Sequence, residues 1–341
     1  MSATAARHTG LPFVPQPAPN ELLGSWLLRV AQLYGLGLTT LLSRLGARST
    51  GDAQVPHWFA IDDSNVSLDA LSAASRLPRS TLATMAPSAC RPHWPEQLGA
   101  CERCLADATD GGQPITWNRT WMSPLAVVCS IHGTWLTPVA TRTLAGVRHA
   151  ADFGGITQQV TAAQAQLDNE PACASDAQWL QRLCTARTAV RLPWGGTRPY
   201  DLIRIVDAVA REVIAASDSG TGPLGLPADR RQGSIKSFAF ELGNAERVGV
   251  SLPAQLRQRQ RLLARVAHVL RWPSEQRTHF SSWSAASIKR LASMRNDPNG
   301  ALAWICPPAA ELVRQQDSLR LEFSISPRYF KACAALLDSI R

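Results

Sequence analysis

The chain has 341 residues, 45% of them hydrophobic and 18% charged, with a formal net charge of +9 and a pI near 9.6. That length holds two or three domains with real cores, which excludes a disordered tail or a small disulfide-stapled scaffold. The basic balance favours an anionic partner, most often nucleic acid. Only three of the 35 cations are lysine (Lys236, Lys289 and Lys331), and Arg-rich, Ala-rich composition can also be a genome-wide habit.

No apolar run long enough for a signal peptide stands at residues 1–20, and no stretch of about 18 apolar residues occurs anywhere. A soluble, cytoplasmic protein with reduced thiols is therefore expected. Pro12, Pro15, Pro17 and Pro19 predict extended chain over 11–19. Asn20 is a candidate helix cap, and Leu22, Leu23, Trp26, Leu27, Val30 and Leu33 share one face at helical spacing. Gly35 and Gly37 end that helix. A short helix over Leu41–Leu45 follows, stopped by Gly46. Two more helices are predicted at Leu68–Leu77 and Thr81–Met85, split by Pro78-Arg79-Ser80. Helix, tight turn and short helix outline a helix-turn-helix, and equally any small helical bundle. No basic recognition face is visible in Ser80–Ala86.

The most specific signal runs from Ala100 to Leu136. Cys101 and Cys104 are two residues apart, as are Cys129 and His132, with 24 residues between the pairs. Two such turns of soft ligands suit one tetrahedral zinc ion. Trp117, Trp121, Val127 and Val128 supply a small core beside it. A disulfide is the competing reading, and it needs an oxidising compartment. Cys90 and His93 form a second Cys-x2-His that, with Cys101 and Cys104, makes a compact rival site. The longer, more apolar loop favours Cys129 and His132. Four closed ligands leave a tetrahedral zinc no position for water, and neither His-Glu-x-x-His nor a deaminase signature occurs, so the metal reads as structural.

Residues 15–35, P-x-P-x-P-N-E-L-L-G-S-W-L-L-R-V-A-Q-L-Y-G, resemble the opening of the TniQ family of transposition proteins. The Leu68–Met85 pair is similar to the next part of that pattern. A-C-E-R-C-L, then Arg119, Trp121, Cys129, His132 and Leu136, resembles the family's zinc knuckle. Two positions depart from it: Ala100 stands where an aromatic or basic residue is frequent, and Glu102 where Pro is usual. The helix at 262–273 is similar to one in longer members. The resemblance implies a non-catalytic adaptor that selects the insertion site of a mobile element. It implies contacts with an AAA+ ATPase and with target DNA or an RNA-guided complex, and in several members a homodimer.

Small and polar residues at 141–175 predict a weakly structured connection that ends in a helix around Asp176–Ala186. Cys173 and Cys184 read as buried small hydrophobes. Tyr200–Ala216 is an amphipathic helix, and Gly220–Pro227 a linker. From Arg230 to Arg341, 18 Lys and Arg stand against 8 Asp and Glu. Arg257, Arg259, Arg261, Arg265 and Arg271 decorate a predicted helix at Pro253–Trp272 whose buried stripe is Leu256, Leu263, Val266 and Leu270. Lys289 and Arg290 lie on a further helix, Ser284–Met294. These cations are either solvated faces or phosphate contacts that carry no base information. Trp272, Trp283, Trp304, Cys306 and Cys333 read as core.

The expected fold class is mainly α, with an N-terminal helix-turn-helix-like bundle, a zinc-knuckle or ribbon insert and a helical C-terminal domain. The divisions are an extended N-terminus at 1–19, helices at 20–88, the zinc module at 89–140, linker and helices at 141–227, and a basic helical domain at 228–341. The nucleotide loop G-x-x-x-x-G-K-[ST] and the nucleophile motif Gly-x-Ser-x-Gly are absent, and no D-D-E cluster is identifiable, so no catalysis is expected. The alternative function is a site-specific DNA-binding regulator that uses the N-terminal helical pair.

Overall fold

The computed structural model describes residues 10–47, 57–87, 94–164, 171–186, 190–192, 195–197, 202–207, 209–210, 235–242 and 246–271. Among them the fold is mainly α, as expected, and falls into two compact units. The first takes the described residues of Met1–Cys90, Trp94–Ala126 and Leu136–Asp168; the second takes those of Val127–Trp135 and Asn169–Arg341.

The first unit opens with the extended Pro-rich segment and α1 (Leu23–Leu33). Asn20 does not cap α1. It adopts a left-handed turn (φ 57°), a conformation asparagine tolerates, and the helix begins three residues later behind Leu22. The turn brings Glu21 into a bridge with Asn118. Glu21 is buried and fully engaged. Its carboxylate accepts from Arg29 at both oxygens (2.9 and 2.7 Å), from Ser25 Oγ (3.1 Å) and from the Ala18 amide (2.9 Å). Ser25 Oγ in turn accepts from the Trp117 amide at 3.0 Å. Trp26 Nε1 donates to Pro15 O at 2.8 Å, and Tyr34 Oη to Phe13 O at 2.6 Å. These bonds explain the chemistry of the N-E-L-L-G-S-W-L-L-R run: each polar residue in it ties α1 to the proline segment or to the 117–119 loop. Gly24 is required for space, because a Cβ there would lie 1.6 Å from the Trp58 carbonyl oxygen.

The core of this bundle is Leu23, Trp26, Leu27 and Val30 packed with α2 (Leu38–Arg44), α3 (Leu68–Ser75) and α4 (Arg79–Met85), through Leu41, Leu42, Leu68, Leu71, Leu82 and Met85. Leu33 falls outside it. It is 52% exposed and, with Phe13, Pro15 and Ile115, lines an open depression of about 730 Å³. Ser67 caps α3 by accepting from the Ala70 amide at 3.2 Å, and Arg76 ends it in the left-handed region. Beyond the bundle come β1 (Gln97–Ala100), α5 (Glu102–Asp110), β2 (Thr137–Ala140), α6 (Thr141–Gly146) and α7 (Phe153–Gln164). β1 and β2 pair antiparallel, with Ala100 opposite Thr137. Trp58 sits edge-on to Trp117 and Phe153, and its Nε1 donates to Leu144 O at 2.8 Å.

In the second unit, α8 (Pro171–Cys184) packs on α10 (Leu256–Arg271). Between them in sequence lie the short pair β3 (Val190–Leu192) and β4 (Gly195–Thr197), and α9, helical at 202–207 and 209–210 within the amphipathic segment expected there. The hairpin β5 (Ile235–Leu242) and β6 (Glu246–Pro253) leads into α10.

Two expectations are corrected. Residues 141–175 hold α6, α7 and the start of α8 rather than a loose connection. Phe153, Ile156 and Val160 form a buried stripe that the abundant Ala, Gly and Gln concealed. The segment opening the basic domain is a β-hairpin: alternation in Phe238, Phe240, Val248 and Val250 carries period two. Ser284–Met294, Trp272, Trp283, Trp304, Cys306, Cys333 and the 220–227 linker lie outside the described residues, as does the side chain of Cys173.

Candidate metal centre

Two local structures deliver four donors. β1 ends at Ala100 and turns straight into α5, with Cys101 as the residue before the helix and Cys104 in its first turn. Residues three apart share a helix face, so both sulfurs leave the same side. Cys101 is buried and Cys104 partly so. The two departures from the family pattern sit without strain. Ala100 is fully buried in its strand, and Glu102 takes the first helical position, where a carboxylate is favoured by the free amides.

The other half is a tight turn. The Cys129 amide donates to Thr134 O at 2.7 Å and the Gly133 amide donates to Cys129 O at 2.9 Å, closed by a bridge between Val128 and Trp135. Gly133 lies at φ +65°, where a side chain is strained. The His132 amide points at Cys129 Sγ (3.5 Å), and His132 Nδ1 is 3.7 Å from the same sulfur.

Cys101, Cys104, Cys129 and His132 place their donor atoms all within 4.8 Å of one another. Zinc bonds of about 2.3 Å to sulfur and 2.0–2.1 Å to nitrogen put tetrahedral donors roughly 3.5–3.8 Å apart. Three thiols and an imidazole at this spacing fit such an ion. None of the four cysteines whose side chains are described is in a disulfide, and Cys184, outside the cluster, is a buried hydrophobe whose thiol burial pushes up to about 12. Cys90 and His93 lie outside the described residues.

Sequence spacing did not reveal what holds the second pair. The Val127 and Val128 amides both donate to Gln181 Oε1 (3.1 and 3.3 Å), and Gln181 Nε2 donates to Val128 O at 3.1 Å. Gln178 Nε2 donates to Cys129 O at 3.2 Å, and Gln260 Nε2 to Val127 O at 3.3 Å. The only trace in the sequence is two glutamines three apart on α8.

The arginines of α10 do not form one outward face. Arg259 is fully buried, and its Nη1 donates to Pro253 O (3.1 Å) and Ala254 O (2.8 Å), satisfying carbonyls where β6 runs into the helix. Arg271 pairs with Asp176 at 2.7 Å and lies over the Trp179 ring. Arg261 is exposed and Arg257 half-buried. The side chain of Arg265, and all of Lys289 and Arg290, lie outside the described set.

A helical bundle is followed by a Cys3His cluster that could hold a metal ion. The TniQ family profile matches residues 12–136, a little over a third of the chain, and over that stretch the chain is similar to the TniQ family. The match runs from the proline segment to the residue after the second ligand pair's hairpin. No curated protein and no solved structure is significantly similar to the chain. None of the described helices is long and apolar enough to cross a membrane.

Proposed function

We propose that this chain is a non-catalytic, zinc-containing adaptor in DNA transposition. It helps bring an AAA+ transposition ATPase and its transposase to a target marked by DNA or by an RNA-guided complex. Similarity to the TniQ family over residues 12–136 supports a transposition-associated adaptor role and is the observation that carries it. The metal held by Cys101, Cys104, Cys129 and His132 is zinc and structural: three thiolates and an imidazole complete a tetrahedron and leave no place for a reacting water.

The test is reconstitution of the full chain with an AAA+ transposition ATPase and its transposase. Co-elution, and ATPase-dependent insertion at the marked target, support the reading. Neither occurring, or ATP hydrolysis and DNA strand cleavage arising from this chain alone, overturns it. Light scattering tests whether the chain is a homodimer.

Among the described side chains of α10, Arg257 and Arg261 are the candidates for nucleic-acid attraction. Reversing both to Glu lowers affinity alike for all sequences and flattens the salt dependence by roughly 0.9 log units per lost duplex contact. Unchanged binding makes them a solvated face.

The alternative, a DNA-reading regulator built on α3 and α4, loses support from the structure. The one cation of α4, Arg79, is engaged by Asp63 and by Asp69 (3.1 Å), and the rest of that helix is neutral.

A further inference from the structure

The backbone of the segment that carries Cys129 is bonded by side-chain amides as well as by its own turn. Val127, Val128 and Cys129 are essentially fully buried, and a buried amide or carbonyl without a partner costs about 1–3 kcal/mol. An isolated bridge to Trp135 and the turn bonds at Cys129 serve one side of it. The other side meets side-chain amides. Gln181, itself buried, accepts from two successive amides and donates to the carbonyl of the second residue, Val128, as a neighbouring strand would. Gln178 adds a bond to the carbonyl of the ligand residue itself, and Gln260 adds one from α10. Only an uncharged carboxamide does what Gln181 does: a glutamate can accept but not donate, and a leucine can do neither.

We propose that Gln181, flanked by Gln178 and Gln260, is a positioning residue of the metal centre. It fixes the backbone that presents Cys129 and His132, so that metal affinity depends on the α8–α10 pair, far beyond the family-matched stretch. The inference rests on the metal reading above. Outer groups that orient metal ligands typically matter by 10–100-fold in affinity. Coupling between two equilibria is reciprocal, so metal binding also stabilises α8 and α10 against opening.

The experiment uses the full chain and compares Gln181→Leu, Gln181→Glu, Gln178→Ala and Gln260→Ala with the unaltered protein. Zinc affinity is read by competition with a chromogenic chelator, ligand geometry by the visible spectrum of the cobalt(II) form, and folding by circular dichroism. Gln181→Leu is expected to retain helix signal, bind zinc roughly 10–100-fold more weakly and alter the cobalt band shape. Gln181→Glu falls between, and the two alanine variants lose less.

A general structural role predicts a lower melting temperature with unchanged zinc affinity and cobalt spectrum in the folded protein, and that result overturns the proposal. Should Gln181→Leu fail to fold, Gln178→Ala and Gln260→Ala decide, and native zinc affinity in both overturns it. If the unaltered chain takes up no metal, the metal reading has failed instead. If it binds zinc and the folded Gln181→Leu variant binds equally well, only the positioning role has.

Discussion

Each metal half-site is a Cys-x2 turn, yet the two are held in different ways. Cys101 and Cys104 are placed by a strand end, a helix start and a spacing of three within the first turn, with β1 held by β2 close by in sequence. Cys129 and His132 sit on a turn whose outer bonds are local but whose inner bonds come from Gln178, Gln181 and Gln260, 49 to 133 residues further on. The first pair needs α5 and the β1–β2 pairing. The second needs α8 and α10 packed beneath it. Similar ligand spacing therefore conceals a difference in what must fold first, and the largest effects come from attacking that difference.

If the cluster holds the proposed zinc, removing it is the strongest perturbation. At structural zinc sites the binding free energy, about 10–16 kcal/mol in zinc-finger peptides, is folding free energy. Elemental analysis of the purified chain is expected to give one zinc, and Cys101→Ser and Cys129→Ser each lose it. Hydrogen exchange after chelation then separates the halves. The first turn of α5 loses protection, while the amides of Val127 and Val128 retain part of theirs through Gln181. The reverse order would remove the distinction between the pairs. Zinc persisting in both variants would remove the ligand assignment.

Next in size is the buried pair of the first unit. Glu21→Ala strands Arg29, whose side chain is only 11% exposed, and also leaves Ser25 and the Ala18 amide without their acceptor. Breaking a buried ion pair on one side costs about 3–5 kcal/mol. Urea denaturation should show that loss with zinc content unchanged, because Glu21 touches neither half-site. Gly24→Ala follows at about 1–3 kcal/mol or more, since the Cβ meets the Trp58 carbonyl oxygen and the 58–60 turn must move. Gly133→Ala comes below it, at about 1–2 kcal/mol for forcing a side chain into the left-handed region. Its effect should appear first in zinc affinity, as the turn presents His132. A Gly133→Ala chain with native zinc affinity would show that the metal, not the glycine, dictates that turn.

These comparisons also show how much was legible beforehand. The cluster of Cys101, Cys104, Cys129 and His132 was readable because a tetrahedral site favours short ligand spacings in the sequence. α1 was readable because its apolar stripe has helical period, although its start was misplaced: Asn20 looks like a cap, but tertiary pairing of Glu21 with Asn118 made it a turn. α6 and α7 were hidden because their buried positions are few and their remaining residues small or polar. Arg259 was misassigned because charge signals exposure only when no backbone acceptors wait inside, and here the Pro253 and Ala254 carbonyls do. The glutamines left no signal, since an amide that replaces a strand is defined by its partner and not by its neighbours in sequence.

The smallest expected effect is at Arg79, the exposed counterpart of Arg29. Both guanidiniums meet carboxylates, but Arg79 is 49% exposed and its partners Asp63 and Asp69 are 51% and 81% exposed. Water and salt screen such a pair, and holding three side chains in register opposes it, so exposed pairs contribute about 0.2–1 kcal/mol. Arg79→Ala is therefore expected to change stability by no more than about 1 kcal/mol. High salt should abolish even that, whereas the effect of Glu21→Ala should survive it. The same variant reports on function. If α4 reads DNA, losing its one cation weakens sequence-specific binding in a mobility-shift assay. If Arg79 only closes the start of α4 onto Asp63 and Asp69, binding is unchanged while the small stability effect follows ionic strength. A stability loss above about 2 kcal/mol that salt does not touch would mean the pair is shielded in solution, and the contrast with Glu21 and Arg29 would fall.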